Sequence, residues 1–439
     1  MKIIIIGGGF GGLKLARKLT RKKGFDVTLI DQFNFHQFQP LFYQVATAGL
    51  DASDISFPLR KVFHKDGNIH FRMGIVTSVD LVSKKVITVE EEYVFDKLII
   101  ASGAGTNFFG NAQLVQYTFP MKTTVEALQI KYRLLQNMED ALYAKTQEAL
   151  ENLLTVVVVG GGPTGVEMSG AIADMRRFVL PKDYPEIDFS KMKIYLLEGS
   201  PETLGTMSEK SSEQSQRYLE KLGVIVKTNT VVRDYDGKIV LMQNGETIAS
   251  NMVVWAAGVK GNVPEGIDVS LIVRGNRIKV DRFSRVTGFD DVYAIGDVAY
   301  METPAYPHGH PQVASVAIAQ GEMLAKNLLK TSDETGSMKE FEYHDKGSMA
   351  TVGRNLAVVD IPKPKLHFKG FFAWMLWMAL HLFLLLGVKN KLSVFSNWIY
   401  NYITYDQNLR LIFRPSGRIK TSNNEIIPIT RSMEQPDHR

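Results

Sequence analysis

Two stretches of this chain carry glycines at the spacing that lets a backbone close around a phosphate. Gly7–Gly12 reads GGGFGG and Gly160–Gly165 reads GGGPTG, each a G-x-G-x-x-G. In this pattern the first glycine (Gly7, Gly160) makes a tight strand-to-helix turn. The second (Gly9, Gly162) lets the backbone approach a pyrophosphate, and the third (Gly12, Gly165) permits close helix–strand packing. Gly11 and Thr164 fall inside the same turns. The phosphates would rest on a helix N-terminus, where free N–H groups and the helix dipole favour anions. Each loop also has an acid at the end of the next strand, where a carboxylate accepts hydrogen bonds from ribose: Asp31, 19 residues past Gly12, and Glu198, 33 past Gly165. One such loop is weak evidence, because a glycine-rich turn can be purely structural. Two, each between a strand and a helix, point to two dinucleotide sites. After Glu198 come Gly199, Ser200 and Pro201, with no Arg to neutralise a 2′-phosphate, so the second site is expected to prefer NADH to NADPH.

The elements that hold these loops are legible as short apolar runs. Ile3–Ile6 and Val156–Val159 lead into the glycines, and runs of this kind suit strands buried on both faces of a parallel sheet. Val27–Ile30, Lys97–Ala101, Ile194–Leu197, Met252–Trp255 and Val292–Ile295 add further strands to a doubly wound α/β reading. Gly7 and Gly160 lie 153 residues apart, about one domain length. The simplest arrangement inserts the second domain (116–264) into the first (1–115 and 265–325). A C-terminal region (326–412), with antiparallel strands in Lys339–Val359, and a polar tail (413–439) would follow.

The 439 residues contain no cysteine. That excludes disulfides, Cys-ligated zinc or iron–sulfur centres, and any thiol nucleophile. No metal-ligand constellation is evident. Net charge is +5, which is compatible with an anionic membrane surface and too weak to argue for nucleic acid. Because a core strand begins at residue 2 or 3, no cleavable leader is expected, and the protein is placed on the cytosolic side.

Thr287–Asp297 (TGFDDVYAIGD) resembles the second FAD signature of the two-dinucleotide-domain flavoprotein superfamily. The resemblance implies that Gly296 and Asp297 hold FAD together with the N-terminal loop, leaving NADH to the second. The expected fold is therefore two Rossmann-like dinucleotide-binding domains, one inserted in the other, plus a C-terminal membrane-anchoring region. Thr47, Gly103 and Gly258 complete the expected cofactor-binding set. Without a Cys pair, electrons must leave the flavin directly, for a diffusible acceptor or a protein partner.

Phe38–Leu50 (FQPLFYQVATAGL) and Leu376–Asp406, closing on YITYD, are similar to segments of the type II NADH dehydrogenases, single-chain NADH:quinone oxidoreductases. The resemblance spans residues 1 to about 412. It implies a non-proton-pumping enzyme that passes electrons from NADH through FAD to a membrane quinone, at the cytoplasmic face of the inner (plasma) membrane. Ala314–Gly321 (ASVAIAQG) matches that family's quinone signature at Ala314, Ala317, Gln320 and Gly321, while Ser315 and Ala319 stand where the family has glutamines. Ala317, Gln320 and His381 are thereby expected near the quinone. Losing amide partners there would weaken quinone binding by about 1–3 kcal/mol each. Glu167, two residues past Gly165, matches a Glu implicated in proton delivery, and its local alternative is a helix Glu satisfying a nearby donor. A homodimer is compatible with the sequence. The rival readings are a reductase of a small electron-transfer protein and a non-catalytic NADH/FAD sensor.

Gly370–Val388 is apolar except for His381, and its 19 residues would rise about 28 Å as one helix against a hydrocarbon core of roughly 30 Å. An anchor lying on the membrane is favoured by three features. Leu392, Phe395, Trp398, Ile399, Tyr402 and Ile403 form an amphipathic stripe opposite Ser393, Ser396, Asn397 and Asn401. Aromatics cluster nearby, and Lys389 and Lys391 adjoin.

Overall fold

The computed structural model describes residues 1–332, 338–413, 419–420 and 426–427. Most of the tail expected over 413–439 lies outside them. β1 (Lys2–Ile6) enters the first glycine turn and α1 (Phe10–Leu19), followed by β2 (Asp26–Asp31), α2 (Phe42–Ala46), β3 (Ile69–Met73) and β4 (Lys97–Ile100). The chain then crosses through the short strand Phe119–Pro120 and α3 (Thr124–Ala141) into a second unit. There β5 (Thr155–Val159) enters the second glycine turn and α4 (Pro163–Phe178), followed by β6 (Lys193–Leu197), β7 (Ile225–Lys227) and β8 (Met252–Trp255). β9 (Val292–Ala294) returns to the first sheet, giving the order β9-β4-β1-β2-β3. The second sheet reads Phe119–Pro120, β8-β5-β6-β7, and all pairings in both sheets are parallel.

Ile3–Ile6 and all five residues of β5 are buried, as strands covered by helices on both faces require. Burying each such Ile or Val stabilises the fold by about 1.5–3 kcal/mol relative to exposure. α5 (Ala314–Ser332) packs along α1 and closes one face of the first sheet.

The C-terminal region is an antiparallel sheet of β10 (Ser348–Gly353), β11 (Leu356–Ile361) and β12 (Leu366–Lys369), then α6 (Phe371–Leu384) and α7 (Val388–Thr404). The apolar run read as one helix over Gly370–Val388 is broken. Leu385 is extended, and Gly387 takes φ +80° with its Cα facing Phe57, so that an added Cβ would lie 2.4 Å from that ring. Fourteen residues rise only about 21 Å. No helix among the described residues is long and apolar enough to cross a membrane.

The amphipathic reading of α7 holds for most of its residues, Trp398 and the exposed Ser396 departing from it. Its polar side docks onto the protein: Ser393 and Asn397 donate to the Asp54 carboxylate, and Asn401 donates to Gly49 O. Leu392, Phe395, Ile399 and Ile403 face outward. Trp398 departs from that stripe. It is buried, and its indole N–H donates to Gln44 Oε1 at 2.7 Å. α6 turns Ala373, Trp377 and His381 inward at i, i+4 and i+8, leaving Phe372 and Phe383 about three-quarters exposed.

Candidate active site: a dinucleotide cleft and an adjoining cavity

The two glycine loops have nearly superimposable demands. Gly7 and Gly160 adopt φ +105° and +109°, and a Cβ at either would strike the backbone of Ala101 or Ala256. At Gly12 and Gly165 a Cβ would lie 2.0 and 1.8 Å from the carbonyl oxygens of Gly7 and Gly160. At Gly9 and Gly162 it would meet nothing within 4 Å. The outer and inner glycines therefore serve the turn, while the middle one leaves an open N–H cradle at a helix start. That geometry fits a dinucleotide pyrophosphate at both loops.

The acids behind the loops brace them. Asp31 accepts from Gly8 N at 2.6 Å and Phe33 N at 2.8 Å, and Glu198 accepts from Gly161 N and from Ser200 N at 2.7 Å. Burial raises the Asp31 pKa, with the two backbone donors opposing it. A carboxylate offers about four acceptor positions, so either can still take a ribose hydroxyl.

A cleft runs between the two units. Gly9, Gly11, Gly103, Gly296, Asp297, Pro163, Thr164 and Glu167 all line it. Gly258 is next to the lining residue Val259, and its φ of +71° excludes most other residues. Ala317 and His381 also line the cleft.

Two expected site residues, Gln320 and Thr47, do not line the cleft, and neither do Ser315 and Ala319. Gln320 is 1% exposed, and its amide oxygen accepts from Gly296 N at 2.7 Å, so it reaches the cleft only through the backbone it holds. Ser315 is 2.8 Å from the Tyr343 hydroxyl, and Ala319 packs into the core beside the first sheet. Neither Ser315 nor Ala319 is itself a lining residue of the cleft, although Ala314 and Ala317 beside them are. Thr47 is buried, donating to Tyr43 O at 2.9 Å, and lines a different space.

That space is a second pocket beneath α6 and α7, open to solvent on one side and walled by Trp374, Met378, Trp398, Tyr402 and Asp174 among others. Glu167 and Tyr43 line both the cleft and this cavity. Glu167 sits in the first turns of α4, two residues past the glycine loop. Its Oε1 accepts from Thr351 N at 3.4 Å, and Trp377 holds it from α6. Burial outweighs both bonds and pushes its pKa up to about 8, so at neutral pH it is mainly the neutral acid. The Tyr43 hydroxyl accepts from Gln44 Nε2 at 2.8 Å, which leaves its own hydrogen to donate. His381 stacks on Trp377 with centroids 3.9 Å apart, and its Nδ1 lies 2.7 Å from Trp377 O. A carbonyl only accepts, so Nδ1 carries the proton and Nε2 is an acceptor. Burial lowers the His381 pKa to about 4, which makes it a poor acid at neutral pH.

Sequence reasoning missed Tyr43, Trp377 and Lys122, all of them lining the cleft. Tyr43 lay inside the quoted FQPLFYQVATAGL segment. Nothing local marked Lys122.

The sequence model of the pyridine nucleotide-disulphide oxidoreductase family matches residues 1–321, and that of the NDH2 C-terminal domain matches 345–404. The chain is 36% identical over 414 residues to the type II NADH:quinone oxidoreductase NdhA of Mycobacterium tuberculosis, covering 90% of this chain and 86% of that protein. It is 30% identical over 360 residues to the type II NADH:quinone oxidoreductase of Staphylococcus aureus, covering 80% and 87%. In fold it is similar to NDH2 from Plasmodium falciparum solved with NADH (TM-score 0.85, 23% identity, 94% and 99% covered). It is similar too to the sulfide:quinone oxidoreductase of Aquifex aeolicus (TM-score 0.70, 18% identity, 94% and 96% covered). The chain belongs to the type II NADH:quinone oxidoreductases.

Proposed function

We propose that this chain oxidises NADH and reduces a membrane quinone, without pumping protons, through an FAD held by its N-terminal loop. The observation that carries this reading is the position of Glu167 and Tyr43 on the wall shared by the dinucleotide cleft and the apolar cavity.

When bound, FAD supplies the two-electron chemistry, taking a hydride from NADH and delivering electrons to quinone. The residues orient and protonate. Gly7–Gly12 with Asp31, Gly103, Gly296 and Asp297 hold FAD, and Gly160–Gly165 with Thr164, Glu198 and Gly258 hold NADH. Gln320 fixes the Gly296–Asp297 turn, and Thr47 packs α2 beneath Tyr43. Ala317 and His381 line the cleft on the quinone side. Neutral Glu167 and the Tyr43 hydroxyl can each donate a hydrogen bond to a quinone oxygen, and Glu167 gives up its proton as that oxygen gains charge.

This reading assigns residues 1–115 and 265–325 to the FAD domain, 116–264 to the NADH domain and 326–412 to the anchor. α6 and α7 would rest on the cytoplasmic face of the plasma membrane with Phe372, Phe383, Leu392 and Ile403 in the lipid. Steady-state NADH oxidation with a short-chain quinone, compared with a small electron-transfer protein, tests it. Rapid turnover with the quinone alone is expected. Turnover only with the protein acceptor would favour the ferredoxin-reductase type.

A further inference from the structure

Lys122 occupies the crossing between the two units and has no duty there. Its backbone is fixed on every side. Pro120 pairs with Trp255 in the second sheet, and Thr123 and Glu126 form a capping box at the start of α3. Glu126 also accepts from Lys122 N at 2.7 Å, and Gln37 accepts from Thr124 N at 2.7 Å. The side chain enters the cleft, where the other charged lining residues are Asp297 and Glu167.

The Lys122 ammonium makes no hydrogen bond or ion pair within 4 Å among the described residues. The Glu126 carboxylate accepts from the Lys122 and Thr123 backbone N–H groups, and Asp297 and Glu126 act on the Lys122 ammonium only as charges, without a hydrogen bond to it. A desolvated cation without a partner is costly, and burial indeed pulls its pKa down. The pyrophosphates have their own cradles at Gly9 and Gly162. Lys122 lines the same cleft as Asp297 and the start of α4, the part left for the ring end of the cofactor if the N-terminal loop takes its pyrophosphate.

Resting on the reading that this cleft holds FAD, we propose that Lys122 is the cation that balances the negative charge the isoalloxazine gains on reduction. A hydride from NADH adds two electrons and one proton to the ring, which leaves NAD⁺ and one net negative charge on the reduced ring. Lys122 keeps its proton throughout, and no bond to it forms or breaks. It acts as a charge-balancing residue that sets the potential from which quinone draws electrons.

Equilibrium reduction of the FAD-loaded full chain against a reference dye, with sulfite titration of the oxidised flavin, tests this. Sulfite places the same negative charge on the ring without electron transfer. Lys122→Met should shift the oxidised/reduced equilibrium at least about tenfold toward oxidised, a midpoint lower by about 30 mV for two electrons. Sulfite affinity should fall about as much, and Lys122→Arg should restore both. If the Met variant loses FAD, Lys122→Gln carries the same comparison. Unchanged potential and sulfite affinity in the uncharged variants would overturn the assignment, as would an effect confined to the KM for NADH. Flavin absorbance of the purified wild type reports separately on whether FAD is bound at all.

Discussion

At Gly9 and Gly162 the backbone angles suit any residue, and an added methyl would meet only open space. Alanine at Gly9 should therefore leave the fold intact and block FAD, whereas alanine at Gly162 should spare FAD and raise the KM for NADH at least tenfold. Flavin content, melting temperature and steady-state kinetics check the pair, and a collapse of the melting temperature in either would contradict the geometry. Glu167 makes a pH prediction of definite sign. Its folded pKa of about 8 lies above the ordinary carboxyl value of 4.5, so between these values the folded state holds the extra proton. Its contribution to stability is then lost as pH rises through about 8. Quinone reduction should fall over the same range, and Glu167→Gln should slow that step by about 10²–10⁴ and flatten the profile, while flavin reduction by NADH is spared. Stopped-flow measurement of the two half-reactions across pH separates these outcomes. Glycines and acids of the loops were legible because their spacing is dictated by a phosphate and a helix start. Gln320 was not, since only its partner, Gly296 N, reveals that it works behind the wall.

The element that joins the chemistry to the anchor is α4 against β10. A Cβ at Gly170 would lie 1.5 Å from Val352 O, so helix and strand meet backbone to backbone. On either side Glu167 accepts from Thr351 N and Asp174 accepts from Arg354 N. Arg354 in turn stacks on Tyr402 and Tyr405 near the end of α7. Gly170→Ala should cost at least about 1–3 kcal/mol by overpacking this seam. Denaturant unfolding would check it, and unchanged stability would show that the seam yields. The parallel strands were readable from their buried Val and Ile runs. The break after Leu384 was not, because the local sequence stays apolar through Leu386 and the turn depends on Phe57, more than 300 residues away. The direction in which α7 turns its polar side was equally hidden, since Asp54 is what receives it.

Over the whole molecule, charge is unevenly placed. Between Asp360 and Asp406 the chain has five lysines (363, 365, 369, 389 and 391) and no acid, which equals the formal net charge of the entire protein. Leu366 and Phe368 on β12 extend the exposed apolar surface of α6 toward these lysines. Binding to vesicles containing anionic lipid should therefore exceed binding to neutral vesicles and weaken with salt, and replacing the five lysines by glutamine should remove the difference. Equal binding to both vesicle types in co-sedimentation would contradict it. Truncation from about residue 365 is a poor substitute, because Trp377 and Trp398 belong to the core shared with α2 and α4. The central claim, that one chain passes electrons from NADH through its flavin to quinone, is tested most directly by mixing in sequence. Anaerobic addition of NADH to the FAD-loaded protein should bleach the flavin absorbance, and a short-chain quinone added next should restore it within the turnover time. A flavin that bleaches with NADH and stays reduced in the presence of quinone would contradict the account.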